Sequence, residues 1–393
     1  YVARGGGFCS VARRLRAADR HYLSRTARVV DVGFRLARSL PLDPTMPVCD
    51  NACGGCRPVV PAPGTPCGPC LIGQYVCTGV ESSACEPAGS CPLGAPCADA
   101  SECAGGECLS GFCTAPGFAY IPPGTFMMGS AGAELGRRPD EVQHEVTLTR
   151  GVLMQRREVT QAEWRLLMDA NPSRFASCGD DCPVETITWL QALVYANALS
   201  RLHGFPECYD LSTCTGSASG GLSCPFELAF SLDCAGYRLP TEAEWERAYR
   251  AETTTAFYSG EPTSALLCDQ PLLLEHAQFC GNCEIGYADP YDCSATGGFA
   301  TCGTTTIGSR MPNPWGLYDM SGNVGELVWD VLEPYPATPA VDPIGPIHSG
   351  QNNIARGGGF CGHMARLRAA DRRGMTRVAA YPDVGLRLVR TVL

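Results

Sequence analysis

This chain contains no lysine; all 30 of its basic residues are arginine. The bias reads as the imprint of a GC-rich coding sequence rather than as selection for bidentate anion binding, so arginine clusters count for little by themselves. No apolar run approaches the ~20 residues a membrane-spanning helix needs, and no transmembrane segment is expected. Positive charge is in deficit. Forty Asp and Glu against 30 Arg leave a net charge of -10, which excludes the basic surface that a nucleic-acid partner requires. The six histidines, at 21, 144, 203, 276, 348 and 363, include no HxxH or HxxxH pair, the spacing with which one helix face grips a metal. No glycine-rich loop runs into Lys-Ser/Thr, so a phosphate cradle of that kind is excluded. An initiator Met is lacking too. Tyr1 opens the chain, which predicts a fragment and deprives the missing signal peptide of meaning.

Cysteine is what the chain has in excess. It carries 25, far above what a reducing cytosol tolerates. Twelve lie between Cys49 and Cys113, and twelve between Cys178 and Cys361; Cys9 stands alone. Two even sets predict disulfides formed within each segment. In the second set the candidates are Cys178, Cys182, Cys208, Cys214, Cys224, Cys234, Cys268, Cys280, Cys283, Cys293 and Cys302, with Cys361 completing the twelve. Spacing leaves their connectivity open. The expected location is exported, at the cell surface or beyond, in a bacterial envelope.

The length suits two or three domains, and an internal repeat divides them. Ala3-Arg-Gly-Gly-Gly-Phe-Cys9 recurs as Ala355-Arg-Gly-Gly-Gly-Phe-Cys361, and Arg14-Leu-Arg-Ala-Ala-Asp-Arg20 as Arg366-Leu-Arg-Ala-Ala-Asp-Arg372. Asp31-Val-Gly33 recurs as Asp383-Val-Gly385, so each pair stands 352 positions apart (355 − 3, 383 − 31). A repeat of fixed offset marks tandem domains. Residues 1–41 read as the tail of one domain and 117–393 as a complete copy. Between them, 42–116 is rich in Pro, Gly and Cys, with Tyr75 and Phe112 its only aromatics. Such a segment cannot bury a core and needs disulfides as staples. Its pairs Cys53–Cys56 and Cys67–Cys70 have zinc-ribbon or thioredoxin-like spacing, but a disulfide-stapled linker accounts better for the run of cysteines around them.

From Gly117 the pattern turns globular. Phe118 to Ile121, Thr125 to Met128 and Val142 to Thr149 predict strands. Thr160-x-x-Glu163 and Thr241-x-x-Glu244 are capping boxes and predict helix starts. A third helix is expected from Thr188, with Leu190, Leu193, Val194, Ala198 and Leu202 as its buried face and Gly204 as its stop. Long stretches without periodicity complete an α+β domain with much irregular backbone.

Gly124-Thr-Phe-Met-Met-Gly129, Arg157-Glu-Val-Thr-Gln-Ala-Glu-Trp164 and Tyr237-Arg-Leu-Pro-Thr-Glu-Ala-Glu-Trp-Glu246 resemble the formylglycine-generating enzyme, or sulfatase-modifying factor, family. So do Asn313-Pro-Trp-Gly-Leu-Tyr-Asp-Met-Ser-Gly-Asn-Val324, Arg356-Gly-Gly-Gly-Phe360 and Val384-Gly-Leu-Arg-Leu388. The matches run in the family's order over about 117–393, and over its last portion in 1–41. The resemblance implies a fold related to C-type lectins. It also implies a copper-dependent oxidase that converts a sulfatase Cys to formylglycine, its Cu(I) held by two thiolates, since soft sulfur selects that ion.

Cys361 alone stands in the catalytic region here. It directly follows Phe360, in a stretch three residues shorter than the family's, with Met364 near the place of the second Cys. Gly359 and Phe360 replace the Ser and Trp of the family's RGGSW turn, and Gly325 and Leu327 replace two further Trp. In the upstream copy Cys9 persists while Val11 and Ala12 replace His363 and Met364, which favours a disulfide over a copper ligand at Cys361. The resemblance also implies a calcium ion held by the side chains of Asp319 and Glu326 and the carbonyls of Gly322 and Val324, all hard oxygen donors. The reading that follows is an exported recognition module, without the two-Cys copper site, for a protein, peptide or glycan. The alternative is an oxidase of this family with an altered metal site, or another O2-dependent oxidoreductase on the same fold.

Overall fold

The structure, a computed structural model, describes residues 91–392 except 105, 219–220, 226, 263–266 and 346–351. Before these, only the backbone of short strands at Val2–Arg4, Arg20–Tyr22, Pro66–Cys67, Gly73–Gly79 and Ser82–Glu86 is described. Cys53, Cys56 and Cys70 of the two CxxC pairs, and Cys9, lie outside the described residues. Contacts divide the chain into Tyr1–Gly105 and Gly106–Leu393. In the first unit Val2–Arg4 pairs antiparallel with Arg20–Tyr22, placing Ala3 opposite His21. In the second, Ala355 stands opposite Arg373 in the same register, 352 positions on.

The second unit begins earlier than composition predicts. The hairpin of Glu107–Leu109 and Phe112–Thr114 falls in the stretch read as linker. Yet Phe112 packs on Tyr120, ring centroids 5.2 Å apart, and Leu109 packs against the domain core. An aromatic and a leucine suffice to anchor a segment whose Gly and Cys content suggests a spacer.

Two four-stranded sheets carry the domain. One has the order Tyr237–Arg238, Val389–Thr391, Val152–Gln155, Phe118–Ile121, antiparallel throughout. Val389–Thr391 thus lies between Val152–Gln155, from early in the domain, and Tyr237–Arg238, from its middle. The other has the order Arg373–Thr376, Asn352–Arg356, Gly325–Val331, Val384–Gly385, with the last pair parallel. Gly124–Met128, His144–Leu148 and Ala340–Val341 form a smaller sheet. The architecture is α+β.

Three helices join these sheets: α1 (Gln161–Leu167), α2 (Trp189–Leu202) and α3 (Glu242–Arg250). Each opens on a capping box, at Thr160–Glu163, Thr188–Gln191 and Thr241–Glu244. The threonine hydroxyl accepts from the N3 amide while the N3 side chain accepts from the cap amide, satisfying two orphan donors. The buried face of α2 is not the expected one. Leu190 and Leu193 are buried, but Leu202 is 62% exposed, Val194 and Ala198 are half-buried, and Asn197 and Ser200 are buried. The Asn197 amide donates to Tyr209 O and its carbonyl accepts from Tyr209 N; Ser200 Oγ accepts from Tyr237 N. These polar groups satisfy backbone that returns from elsewhere in the chain, and such pairing lets a polar side chain displace leucine from an interior position.

Helix α3 is buried at every residue despite carrying three Glu and two Arg. Burying so many charges requires paired, multidentate partners. Arg238 grips Glu244 with two bonds of 2.7 Å. Arg372 grips Glu242 at 2.7 and 2.8 Å. Arg356 donates to Glu246 at 2.5 Å and to the carbonyls of Ala369 and Asp371 at 2.7 and 3.0 Å. A planar guanidinium can do this; an ammonium group cannot. The all-arginine composition, discounted as a genomic bias, here supplies the interior framework.

From Ala251 to Val324 the chain has no helix longer than a single turn and no regular strand among the described residues. Disulfides hold it: Cys268–Cys280, Cys283–Cys302, and Cys293–Cys361, which ties it to the segment after the glycine turn. The remaining pairs are Cys178–Cys182, Cys208–Cys234 and Cys214–Cys224. All twelve cysteines of the second set are therefore bonded within it. Cys91, Cys97, Cys103, Cys108 and Cys113 are also disulfide-bonded.

Candidate functional site

The strand Asn352–Arg356 ends in the turn Gly357-Gly358-Gly359. Gly357 and Gly358 have φ of 83° and 67°, a region that favours glycine. Their backbone is also crowded. A Cβ on Gly357 would lie 2.7 Å from Met320 O, and one on Gly358 2.7 Å from Arg366 O. Gly359 lies as close to Asp383, whose Cβ and carbonyl oxygen would both stand 2.7 Å from an added Cβ. The serine of the family turn is therefore sterically excluded at Gly359 in this chain.

Beyond the turn opens a cavity of about 350 Å³. Gly325, Gly359, Cys361 and His363 line it, together with four charged residues, Arg366, Asp371, Arg373 and Asp383. Arg373 and Asp383 form an ion pair of 2.6 Å at the partly exposed rim. Asp371 is buried, and its Oδ1 has no hydrogen-bond partner. Arg366, Arg138 and Arg368 stand 3.5, 3.8 and 4.0 Å from that oxygen, too far to satisfy it directly. Burial pushes the Asp371 carboxyl up to about 6 against the pull of Arg366 and Arg368. His363 Nδ1 is likewise buried without a partner, and burial, then Arg366 and Arg368, push its ring below the usual histidine range. The cavity wall thus carries charges of both signs, with an unpartnered acceptor and an unpartnered ring nitrogen buried just behind it.

The raised Asp371 has a consequence for stability. The folded chain keeps a proton that the unfolded chain releases in the ordinary carboxylate range near 3.8. Stability contributed by this group therefore falls as pH rises from about 4 through about 6. The melting temperature of Asp371→Asn should fall less than that of the wild type between pH 4.5 and pH 7, roughly the window in which the linkage acts. Parallel curves would show that Asp371 titrates normally.

Of the residues expected at a copper site, the structure brings none together as ligands. Cys361 is bonded to Cys293, Cα atoms 5.4 Å apart. Met364 is buried in a cluster with Phe257, Leu273 and Phe279. The donor chemistry does not fit Cu(I), which wants free thiolates. Gly325 lines the cavity where the family carries a Trp, and Leu327 lies in the main core.

The expected calcium ligands lie behind the glycine turn. Asp319 is buried at φ 55°, with Oδ2 accepting from Gly308 N at 2.5 Å and Oδ1 unpartnered. Glu326 is engaged otherwise. Arg387 Nε and Nη2 donate to its carboxylate at 2.6–3.0 Å and Trp245 Nε1 at 2.7 Å. Gly322 has φ 81° and abuts the Gln278 backbone, and Val324 N donates to Glu158 Oε1 at 3.3 Å. Glu158, a carboxylate that the motifs do not flag, is buried beside them. Burial, then Asp319 and Glu326, raise its carboxyl well above the usual range. Three buried carboxylates face two arginines: Arg387, which is engaged by Glu326, and Arg310, which also pulls on Asp319 and whose Nε is buried without a partner. Glu158 accepts from Asn323 Nδ2 at 2.9 Å and from Val324 N at 3.3 Å, so Asp319 Oδ1 is the unpartnered hard oxygen here, the donor type a divalent ion takes.

The cavity's charged wall went unread in the sequence, yet a signal was there. Arg366, Asp371 and Asp383 recur at Arg14, Asp19 and Asp31 in the upstream repeat, whereas His363 and Met364 do not recur.

Residues 110–392 match the sulfatase-modifying factor enzyme 1-like domain. Over 240 residues the chain is 29% identical to the chaperone protein LppX of Paenibacillus barcinonensis, covering 60% of this chain and 78% of that one. It is 25% identical over 243 residues to the formylglycine-generating enzyme of Mycobacterium tuberculosis, covering 55% of this chain and 74% of the enzyme. In three dimensions it is similar to Treponema denticola variable protein 1, with a TM-score of 0.56 at 25% identity, over 70% of this chain and 95% of that one. With the motifs, the fold and the domain match in agreement, the chain belongs to the sulfatase-modifying factor, or formylglycine-generating enzyme, family.

Proposed function

We propose that this chain is an exported recognition module built on the family fold, and that its cavity binds a peptide, protein or glycan rather than oxidising a cysteine. The Cys293–Cys361 disulfide carries this reading. It consumes the single thiol of the catalytic region, and copper chemistry of the family type needs two. The cavity's charges of both signs, with Arg366, Arg373 and Asp383 on its wall, supply hydrogen-bonding groups for a polar ligand. A relative named as a chaperone protein supports a role other than oxidation. The disulfides support export, and no described helix is long and apolar enough to cross a membrane. The test is incubation of the full chain with copper, O2 and a CxPxR peptide, read by mass spectrometry. The expected result is no aldehyde above the protein-free control. Copper-dependent conversion would restore the oxidase.

Calcium belongs to the same proposal as a structural ion. Asp319 Oδ1 would hold it, with Glu158 and the Gly322 and Val324 carbonyls adjacent, and it would offset the repulsion between the two carboxylates. A ligand at a hundredfold excess over its Kd stabilises by about 2.7 kcal/mol, several degrees in melting temperature for a domain of this size. Removing calcium at otherwise fixed ionic strength should lower the wild-type melting temperature by that order. Asp319→Asn, which tolerates the left-handed backbone, should abolish the difference. A wild type indifferent to chelation ends the calcium proposal.

A further inference from the structure

The sulfurs of Cys283, Cys293 and Cys302 lie within 4.8 Å of one another. They belong to two different disulfides, Cys283–Cys302 and Cys293–Cys361. Cys283, Cys293 and Cys302 are buried to 1% exposure or less. Cys361 is half-buried and lines the cavity. Four sulfurs thus form one cluster with a single point of access. Thiol–disulfide exchange requires a thiolate within reach of a disulfide and a route for the reductant; Cys293, once released, would lie beside the Cys283–Cys302 bond, and the cavity gives access to Cys361.

We propose that this cluster is a thiol–disulfide relay, entered at Cys361 from the cavity by a dithiol reductant. One thiolate of the reductant attacks Cys361 Sγ. A mixed disulfide forms, the Cys293–Cys361 bond breaks, and Cys293 leaves as a thiolate. Cys293 then attacks the neighbouring Cys283–Cys302 bond. A new disulfide joins Cys293 to one of these sulfurs, and the other leaves as a thiolate and takes a proton. The second thiol of the reductant resolves the mixed disulfide at Cys361, which is released as a thiolate and protonated. Two electrons have passed from the dithiol, now a disulfide, to the protein, which gains two thiols. One of them is Cys361, on the cavity wall.

The surroundings suit the first step. Arg366 lines the same cavity, and positive charge favours the thiolate form of an incoming thiol. The second step keeps Cys293 bonded within the irregular loop while cutting the loop's covalent tie to the cavity wall. The ligand site would then respond to the thiol state of its surroundings. The relay rests on the disulfide pairing and not on the identity of the cavity's ligand.

The test is limited reduction of the full chain with dithiothreitol, alkylation at low pH, and peptide mapping without further reduction. The expected pattern is a labelled Cys361, one labelled residue of Cys283 and Cys302, and an unlabelled Cys293 recovered linked to the other. Simple reduction would label Cys293 as fully as Cys361, and that result overturns the relay. So does a Cys361 that stays unlabelled while the half-buried pair Cys214–Cys224 is reduced. In Cys283→Ser/Cys302→Ser the acceptor disulfide is gone, and Cys293 should be labelled together with Cys361. If that variant does not fold, the wild-type pattern alone decides.

Discussion

Arg356→Ala is expected to destabilise the domain by about 3–5 kcal/mol, the cost of breaking a buried ion pair by removing one partner. Arg356 is 1% exposed, donates to Glu246 and Glu242, and holds the carbonyls of Ala369, Ala370 and Asp371. Its guanidinium also lies over the Trp245 ring, 5.1 Å from the centroid. Truncation removes the donor to Glu246 Oε2 and to the carbonyls of Ala369, Ala370 and Asp371 at the point where the strand enters the glycine turn, while Glu242 keeps Arg372 and Glu246 Oε1 keeps Arg250. Arg356→Lys should recover only part of the loss, because one ammonium cannot serve two carboxylates and a row of carbonyls. Denaturant melts of the two variants measure this directly. An Arg356→Ala loss under about 1 kcal/mol, the scale of an exposed pair, would mean that the network around α3 is not what holds the turn.

The second large effect is expected from Cys361→Ser. The Cys293–Cys361 link spans 68 residues of sequence. Chain-entropy scaling for a loop of that size gives on the order of 4 kcal/mol of stabilisation through the unfolded state. Losing it should lower stability by a comparable amount. The buried Cys293, freed beside the Cys283–Cys302 pair, should also promote disulfide exchange on heating. Cys293→Ser/Cys361→Ser should show the same loss without that exchange. A Cys361→Ser variant as stable as the wild type would argue that Cys361 carries no structural bond.

How far the sequence could be read follows from how local each signal is. The three helix starts were legible because a capping box lies within four residues of chain. The strand Phe118–Ile121 was legible through its composition and its bounding turn. The buried face of α2 was not, because Asn197 and Ser200 earn their places from Tyr209 and Tyr237, which approach only in the fold. The hairpin at Glu107–Thr114 was hidden by its glycine and cysteine content. Disulfide pairing is set by three-dimensional proximity, so the even set of twelve foretold bonding without partners. Asp319 and Glu326 were placed in one loop by the family motif. Their different circumstances, one orphaned and one saturated by Arg387, depend on a residue more than sixty positions away. Glu158 reaches the same spot from the start of the domain, a proximity that no local pattern encodes.

The state of Cys361 separates a recognition module from an oxidase more directly than any activity, because it decides whether a thiol exists for a metal to bind. Protein purified without reductant, alkylated and digested without reduction should yield a linked peptide pair containing Cys293 and Cys361, with no alkylated Cys361. Recovery of Cys361 as the alkylated free thiol would contradict the account and return a metal ligand to the cavity.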